Sequence, residues 1–370
     1  MITIRRVEDG GGIREALDLP YRLYQGDPCW VPPLRRIESR RAEGFRARGD
    51  LVMFLAERGG RVVGSISVLD DPGYRRSKGE DVAWFGWFEC EDDPEIARAL
   101  LDAARTRARE LGCTTIRGPR NLTRFEYVGI TVDGHDTLPP FMQGHHPRSY
   151  QRLLEGEGLH KHHDVLAYDI SLWDEGRPRA TPDVLLEKAA ACDLPGLEVR
   201  AARRRSMRRD LIDAHTVLNS AFTTVPDVSP MPRAVWMSLG RTYLTVADPR
   251  LLQIAHQAGR PVGFAACFPE LNEALVHVRG RLLPLGWWRL VRGLRRVRTA
   301  SFKLIGVVPD LRGSGLHAVM VNAVIDGVRA AGYDRIEASV IDERNAPMRA
   351  VVEGAGMGIY RRYRFFEGAV

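Results

Sequence analysis

The sequence predicts an α/β chain of the α+β type, in two tandem domains that share one plan: a mixed, mostly antiparallel sheet flanked by helices. Three observations predict it. The first is an internal repeat. Ala56–Gly64 (AERGGRVVG) resembles Ala255–Gly263 (AHQAGRPVG), with five of nine positions identical at an offset of 199. Arg109–Ile116 resembles Arg329–Ile336 at an offset of 220, in the same order. The growth in offset matches an arginine-rich segment, 277–298, which the first half lacks. Collinear matches with an accountable gap are the mark of duplication. The second observation is that both halves pass through the same succession of strand and helix periodicities. The third is size: 370 residues, 44% hydrophobic and 27% charged, suit two globular domains and not a disordered chain.

In the first half, ITIRRV reads as a strand and Ile13 to Gln25 as a helical stretch. MFLAER turns at Gly59-Gly60 into VVGSISVL, a hairpin signal. VAWFGWFE is an apolar strand, after which Asp92-Asp93-Pro94 opens a helix. Ile96, Leu100, Ala103, Ala104 and Leu111 give that helix its stripe, and Gly112 closes it. Thr114 to Arg117 and HDVLAYDI (163–170) are the later strands. The second half repeats the series. It runs through LEVRAA, a helix over Asp210 to Ala221, the LLQIAHQ–VGFAACF hairpin and SFKLIGVV. A helix over Leu316 to Ala331 follows, then RIEASVI, a short helix at Met348 to Gly354, and IYRRYRFFE. Residues 173–196, with Pro and Gly at both ends, read as the connection, with one helix inside it.

Five cysteines, odd in number and never in a CxxC, argue against a disulfide framework and against structural zinc. The N-terminus MITIRRVEDGGG has no apolar core of a signal peptide, and no run of 18 apolar residues occurs; the expectation is a cytoplasmic protein without a membrane span. The formal charge of +7 admits nucleic acid, an acidic membrane surface or a polyanionic ligand as partner. The excess is local: residues 279–298 carry seven arginines and no acid, and RRRSMRR (203–209) adds five. Trp287, Leu290, Val291, Leu294 and Val297 fall on one helical stripe of that segment. Membrane, RNA and substrate contacts are open to such a helix; the reading favoured is a lid or packing helix with a solvated basic face.

The most informative segment is LIGVVPDLRGSGLH (304–317). An apolar strand ends at Pro309, a Gly-containing loop follows, and a helix begins near Gly315. Free N–H groups and the positive end of the macrodipole make such a helix start a seat for a pyrophosphate. Gly313 and Gly315 allow close backbone approach, and Arg312 adds positive charge. Here the chain resembles the GCN5-related N-acetyltransferase (GNAT) superfamily, whose acyl-CoA loop reads V-x-P-x-x-R-G-x-G-x-G/A. Val307, Pro309, Arg312, Gly313 and Gly315 match, while His317 stands where the family has Gly or Ala.

The resemblance implies two tandem GNAT-like domains: 1–172 degenerate, 173–196 a linker, and 197–370 binding acyl-CoA and carrying the 277–298 insertion. It implies that main-chain groups at Val307 and Val308 pair with the pantetheine. Arg312, Gly313, Ser314, Gly315, Leu316 and His317 would hold the pyrophosphate. Downstream, Asn345, Glu353 and Gly356 match the family's N-x-x-A…Y-E-K-x-G-F segment, but its tyrosine acid falls on Val352. In the first half the corresponding position carries Cys90-Glu91-Asp92-Asp93-Pro94-Glu95, whose acids repel phosphate and whose proline removes a donor. GDPCWVPPL (26–34) and RGPRNLTRFEYVGITVDG (117–134) complete a pattern similar to bacterial two-domain GNAT-like proteins.

The expected reaction is transfer from acyl-CoA, with acetyl-CoA the first choice, to the primary amine of a small molecule by direct attack on the thioester. A carboxylate or water chain must take the amine's proton. Glu337, Ser339 and Ile341 share one face of RIEASVI, with Asp342 on the other. Glu337, Ser339 and Tyr363 are the catalytic candidates, with Tyr360 a further phenol. His145-His146 and His160-Lys161-His162-His163-Asp164 lack recognised ligand spacing, so no metal is expected. Two competing readings stand: an aminoacyl-tRNA-dependent transferase of tandem GNAT fold, which keeps tRNA as a partner, and a non-catalytic acyl-CoA-binding module. A homodimer is compatible with all three.

Overall fold

Both hairpins foreshadowed by the repeat form, and they anchor the two halves of one sheet. The structure is a computed structural model describing residues 1–223 and 225–370. In chain order the first half contributes β1 (Ile2–Arg6), α1 (Gly10–Leu23), α2 (Arg35–Ala47), β2 (Leu51–Arg58), β3 (Arg61–Leu69) and α3 (Pro72–Lys78). It continues with β4 (Val82–Cys90), α4 (Pro94–Glu110), β5 (Thr115–Gly118), β6 (Ile130–Asp133), α5 (Ser149–Gly156) and β7 (His160–Ser171). The connection holds the two-residue strands β8 (Trp173–Asp174) and β9 (Arg177–Pro178) and the helix α6 (Asp183–Ala190). There follow β10 (Leu197–Ala201), α7 (Met207–Ala221), α8 (Arg233–Tyr243), β11 (Leu252–Gln257), β12 (Arg260–Pro269), α9 (Asn272–Leu275) and α10 (Gly286–Leu294). The chain ends with β13 (Thr299–Val307), α11 (Leu316–Ala330), β14 (Arg335–Asp342), α12 (Ala346–Gly354) and β15 (Gly358–Ala369).

The matching sequences occupy matching places. Gly64 of β3 pairs with Cys90 of β4, and Gly263 of β12 pairs with Val307 of β13. β4 runs parallel to β5 and β13 runs parallel to β14; the other pairings are antiparallel. The sheet order is β1-β2-β3-β4-β5-β15-β7-β14-β13-β12-β11-β10, with β6 also on β15. The two closing strands are therefore exchanged. β7, which ends the first half, pairs with β14, and β15, which ends the chain, pairs with β5. The sheet does not divide at 173–196.

α4 shows how sequence makes an element here. The Asp93 carboxylate accepts from the Glu95 amide at 2.9 Å, Pro94 occupies the first turn, and Ile96, Leu100, Leu101, Ala104 and Ala108 are buried against the sheet. Three helices carry no such signal. In α2, RRIESRRAEGFRA, only Glu38 and Ala42 are buried, so there is no apolar stripe to read. α8 buries Trp236 alone, and α5 has only 8 residues and no side-chain cap; the 7-residue α3 does carry the signal, with the Asp71 carboxylate accepting from the Tyr74 amide at 2.9 Å and Pro72 in its first turn. The second half's core packs α7 and α11 on β12 and β13 through Val217, Leu218, Phe264, Leu316, Met320 and Val324. Among the described residues no helix is long and apolar enough to cross a membrane.

Candidate functional site

β13 and β14 are hydrogen-bonded only from Thr299/Arg335 to Phe302/Ala338. Beyond that point they part, and a cavity of about 1180 Å³ opens between them. It is bounded by α6, α7, α8, α11 and α12, and its wall is mostly apolar, with Phe125, Phe222, Trp236, Phe264, Phe302 and Met348 among the lining side chains. The volume exceeds the usual range of small-ligand clefts.

The 304–317 segment lies at one end of this cavity. β13 stops at Val307, Pro309–Leu311 make a single 3₁₀ turn, and Gly315 begins α11. Gly313 has φ +82° and Gly315 φ +85°, the left-handed region that a side chain disfavours. A Cβ on Gly315 would also run into the Lys188 carbonyl oxygen, because α6 lies across this end of α11. Among the described residues the amides of Gly313, Gly315 and His317 donate to no main-chain carbonyl. The Ser314 hydroxyl, by contrast, is spent locally, donating to the Leu311 carbonyl at 2.8 Å and accepting from the Leu316 amide at 3.3 Å. These open donors at the start of a 15-residue helix fit a diphosphate group.

The other residues expected here behave differently from one another. Arg312 donates to the Ala221 carbonyl at 2.5 Å and remains exposed at the cavity rim. Val307 is paired with Gly263 across the sheet. Val308 has both main-chain groups engaged, its amide with the Val262 carbonyl and its oxygen with the Leu311 amide, and it is buried. His317 lines the cavity; burial, helped by the charge of Lys188, lowers its pKa, and its Nε2 is buried with no hydrogen-bond partner among the described residues. The unpartnered Nε2 leaves one polar contact free beside the loop. Asn345 lines the cavity too, although its side-chain oxygen caps α12 by accepting from the Met348 amide at 3.2 Å.

Where β13 and β14 separate, four polar side chains meet. Lys303 donates to Glu337 at 3.2 Å and to the Ser339 hydroxyl at 2.6 Å. Ser301 donates to the same Glu337 oxygen, Oε2. The other oxygen, Oε1, is buried without a partner among the described residues. Lys303 and Ser339 line the cavity, and Glu337 stands behind them, 2% exposed. Burial pushes the nearby Glu270 carboxyl up, with Lys303 opposing. Glu337 and Ser339 thus come together as alternation on β14 suggests. The residue sequence reasoning missed is Lys303, and its signal was a lone ammonium inside the apolar run SFKLIGVV.

Tyr363 does not line the cavity, although Glu337 and Glu270 are close enough to act on its phenol. It is fully buried in the first half's core beside Leu55, Trp84 and Phe365, with its hydroxyl donating to the Gly144 carbonyl at 3.1 Å. Val352 is buried against Tyr168, Ala338 and Ile341, and the Tyr168 hydroxyl beside it donates to Glu353 at 2.8 Å. Glu126, at the far end of the cavity, is fully engaged by Arg41, Tyr243 and Thr123 and reads as a clamp between the halves. His162, His163 and Asp227 bring ligand atoms within 4.8 Å of one another, but Asp227 is already ion-paired with Arg117 and Arg344, which oppose a cation.

No known protein-family model matches the chain. The bacterial ceramide synthase of Caulobacter vibrioides is 31% identical over 100% of this chain and 98% of its own. Protein YghO of Escherichia coli is 27% identical over 98% and 94%. Among solved structures, a tandem GNAT protein from the clavulanic acid biosynthesis pathway has a TM-score of 0.53 at 17% identity, covering 100% of this chain and 98% of that one. A GCN5-related N-acetyltransferase from Sphaerobacter thermophilus has a TM-score of 0.55 at 15% identity, covering 100% and 95%.

Proposed function

The chain belongs to the family of the bacterial ceramide synthase and has the GNAT fold, and from this premise we propose that it is an acyl-CoA-dependent N-acyltransferase whose acceptor is the primary amine of a long-chain, lipid-like molecule. The observation that carries the acceptor class is the apolar cavity of about 1180 Å³, which runs from the glycine loop to Lys303 and Ser339. A small polar amine needs neither that volume nor that wall; an alkyl chain needs both. The name of the Caulobacter relative points the same way.

When bound, acyl-CoA supplies an activated acyl thioester. The amides of Gly313, Gly315 and His317 hold its diphosphate, and Arg312 and the exposed Lys188 add positive charge at the same rim. The apolar wall keeps water from the acyl carbon and aligns the two chains. Lys303 links Ser339, at the wall, to the buried carboxylate of Glu337. Lys303 gives one of its protons to Glu337 and, now a neutral amine, takes up through the Ser339 hydroxyl the proton released by the attacking amine, while the C–S bond breaks and the thiolate leaves, taking its proton from water. The protein would act in the cytoplasm, where the expected co-substrate is available.

The test is turnover. Purified protein is incubated with acyl-CoAs from acetyl to palmitoyl and with long-chain amino alcohols or small polar amines. Free thiol and the amide product are then measured. Thiol release that needs the long-chain amine supports the reading. Release with small amines alone overturns the acceptor class. Tight acyl-CoA binding with no release across the panel overturns catalysis and leaves a binding module.

A further inference from the structure

The arginine-rich segment does not lie on the protein in the way its helical stripe suggests. α10 packs on α9 and turns Leu294 onto the cluster of Phe268, Leu271 and Leu304, while Leu290 is half-buried. Trp287 and Val291, expected on that same buried stripe, point to solvent. The helix is only nine residues long and begins at Gly286, so its first turn overhangs the packed surface. Trp287 is 53% exposed, Trp288 51%, Val291 45%, and in the turn before them Leu283 is 67% and Leu285 63% exposed. Five large apolar side chains are therefore open within nine residues, more than scattered surface hydrophobics explain.

Around them, Arg279, Arg281, Arg289, Arg292, Arg295, Arg296 and Arg298 are all exposed. Arg298 has a carboxylate 3.9 Å away, on Asp334; among the described residues the other six have no ion-pair partner. The segment 279–298 contains no acid of its own.

We infer that this face docks on the surface of an anionic phospholipid bilayer. Trp287 and Trp288 would sit at the headgroup level, with Leu283, Leu285 and Val291 reaching toward the acyl boundary and the arginines on the lipid phosphates. The combination selects this occupant. A second copy of the chain would bring the same unpaired arginines into the contact, and charge would oppose it. A nucleic acid would use the arginines and the indoles but leave the aliphatic side chains without a role. The inference concerns binding alone and stands apart from the acceptor proposed above.

Cosedimentation of the full chain with vesicles decides it. Phosphatidylcholine vesicles are compared with vesicles of phosphatidylcholine and phosphatidylglycerol at 7:3, at about 0.1 M salt, with the protein as it is and as two double variants, W287E/W288E and R289E/R292E. These side chains are exposed, so unchanged circular dichroism and melting temperature confirm folding. Partition onto the anionic vesicles should exceed that onto neutral ones by ~10-fold or more, and each variant should lose most of that excess. Equal partition of parent and variants, or no preference for the anionic vesicles, overturns the inference. So does a dimer in solution that W287E/W288E dissolves, or RNA binding that R289E/R292E abolishes while vesicle binding stays. Because nothing here reads turnover, a catalytically silent protein still returns an answer.

Discussion

The same strand-to-helix turn occurs twice in this chain, and the two copies have opposite chemistry. By strand register Cys90 of β4 corresponds to Val307 of β13, so Glu89 stands where the second half has Gly306. In the first half the parted strands are filled. The Glu89 carboxylate accepts from the Tyr24 and Tyr150 hydroxyls, each at 2.8 Å, and the Trp87 amide donates to the Asn121 side chain at 2.9 Å. The start of α4 is likewise closed by the Asp93 cap and by Pro94, which has no N–H. In the second half Gly306 lines the cavity and the loop amides stay open. The two copies thus leave one turn open at the cavity and close the other by packing. What separates them is a carboxylate and a proline against two glycines.

The comparison breaks most sharply at the polar group that the first half lacks. Glu337→Gln should lower kcat by ~10²- to 10⁴-fold, the range for losing a general base. Acyl-CoA affinity, read by calorimetry, should stay unchanged; an equal loss in affinity would place Glu337 in binding instead. Next comes the loop. Gly315→Val puts a Cβ against the Lys188 carbonyl at a left-handed φ, and should weaken acyl-CoA binding by about 100-fold, or roughly 2.7 kcal/mol. At the first turn, Asp93→Ala should cost about 1 kcal/mol of stability through the lost cap and leave acyl-CoA affinity alone. If it changes affinity, the first turn is not silent.

A pH effect of intermediate size distinguishes the filled cleft from the open one. Burial pushes the Glu89 carboxyl up from 4.5 to about 7, against the lowering effect of its two tyrosine hydrogen bonds. A carboxyl that holds its proton more tightly when folded stabilises the protein fully below pH 4.5, and that contribution disappears as pH rises through about 7. Melting temperature should therefore fall between pH 5 and 8. Glu89→Gln should flatten the fall, recovering about 2 kcal/mol at pH 8. No change in the pH slope would mean that Glu89 is ionised throughout. Smallest is Tyr363→Phe. Losing its bond to the Gly144 carbonyl should cost about 1 kcal/mol in denaturant melts and leave kcat within a few-fold. A hundredfold loss would restore the phenol to catalysis.

The legible part of the fold was wherever a local period or cap repeats within one element. The β2–β3 and β11–β12 hairpins, α4 and α11 are all of this kind. α2 and α8 escaped because they bury little of one face, so their sequences carry no stripe. At the site, the loop from Val307 to His317 was readable as a contiguous string with a backbone job. Glu337 and Ser339 were readable only as neighbours on a strand face. Lys303, which joins them, comes from a different strand, and Lys188 reaches the loop rim from what reads in sequence as plain linker.

The sequence by itself determined the repeat, the hairpins, the glycine loop opening a helix, and the concentration of arginine between 279 and 298. Each rests on hydrogen bonds or periodicities spanning a few residues, which a string of letters preserves. The tertiary structure alone decided that β7 and β15 change places, that β13 and β14 part over an apolar chamber, and that the tryptophans of α10 face outward. Those outcomes depend on which surfaces meet across hundreds of residues, and packing free energy, not local propensity, chooses among the partners.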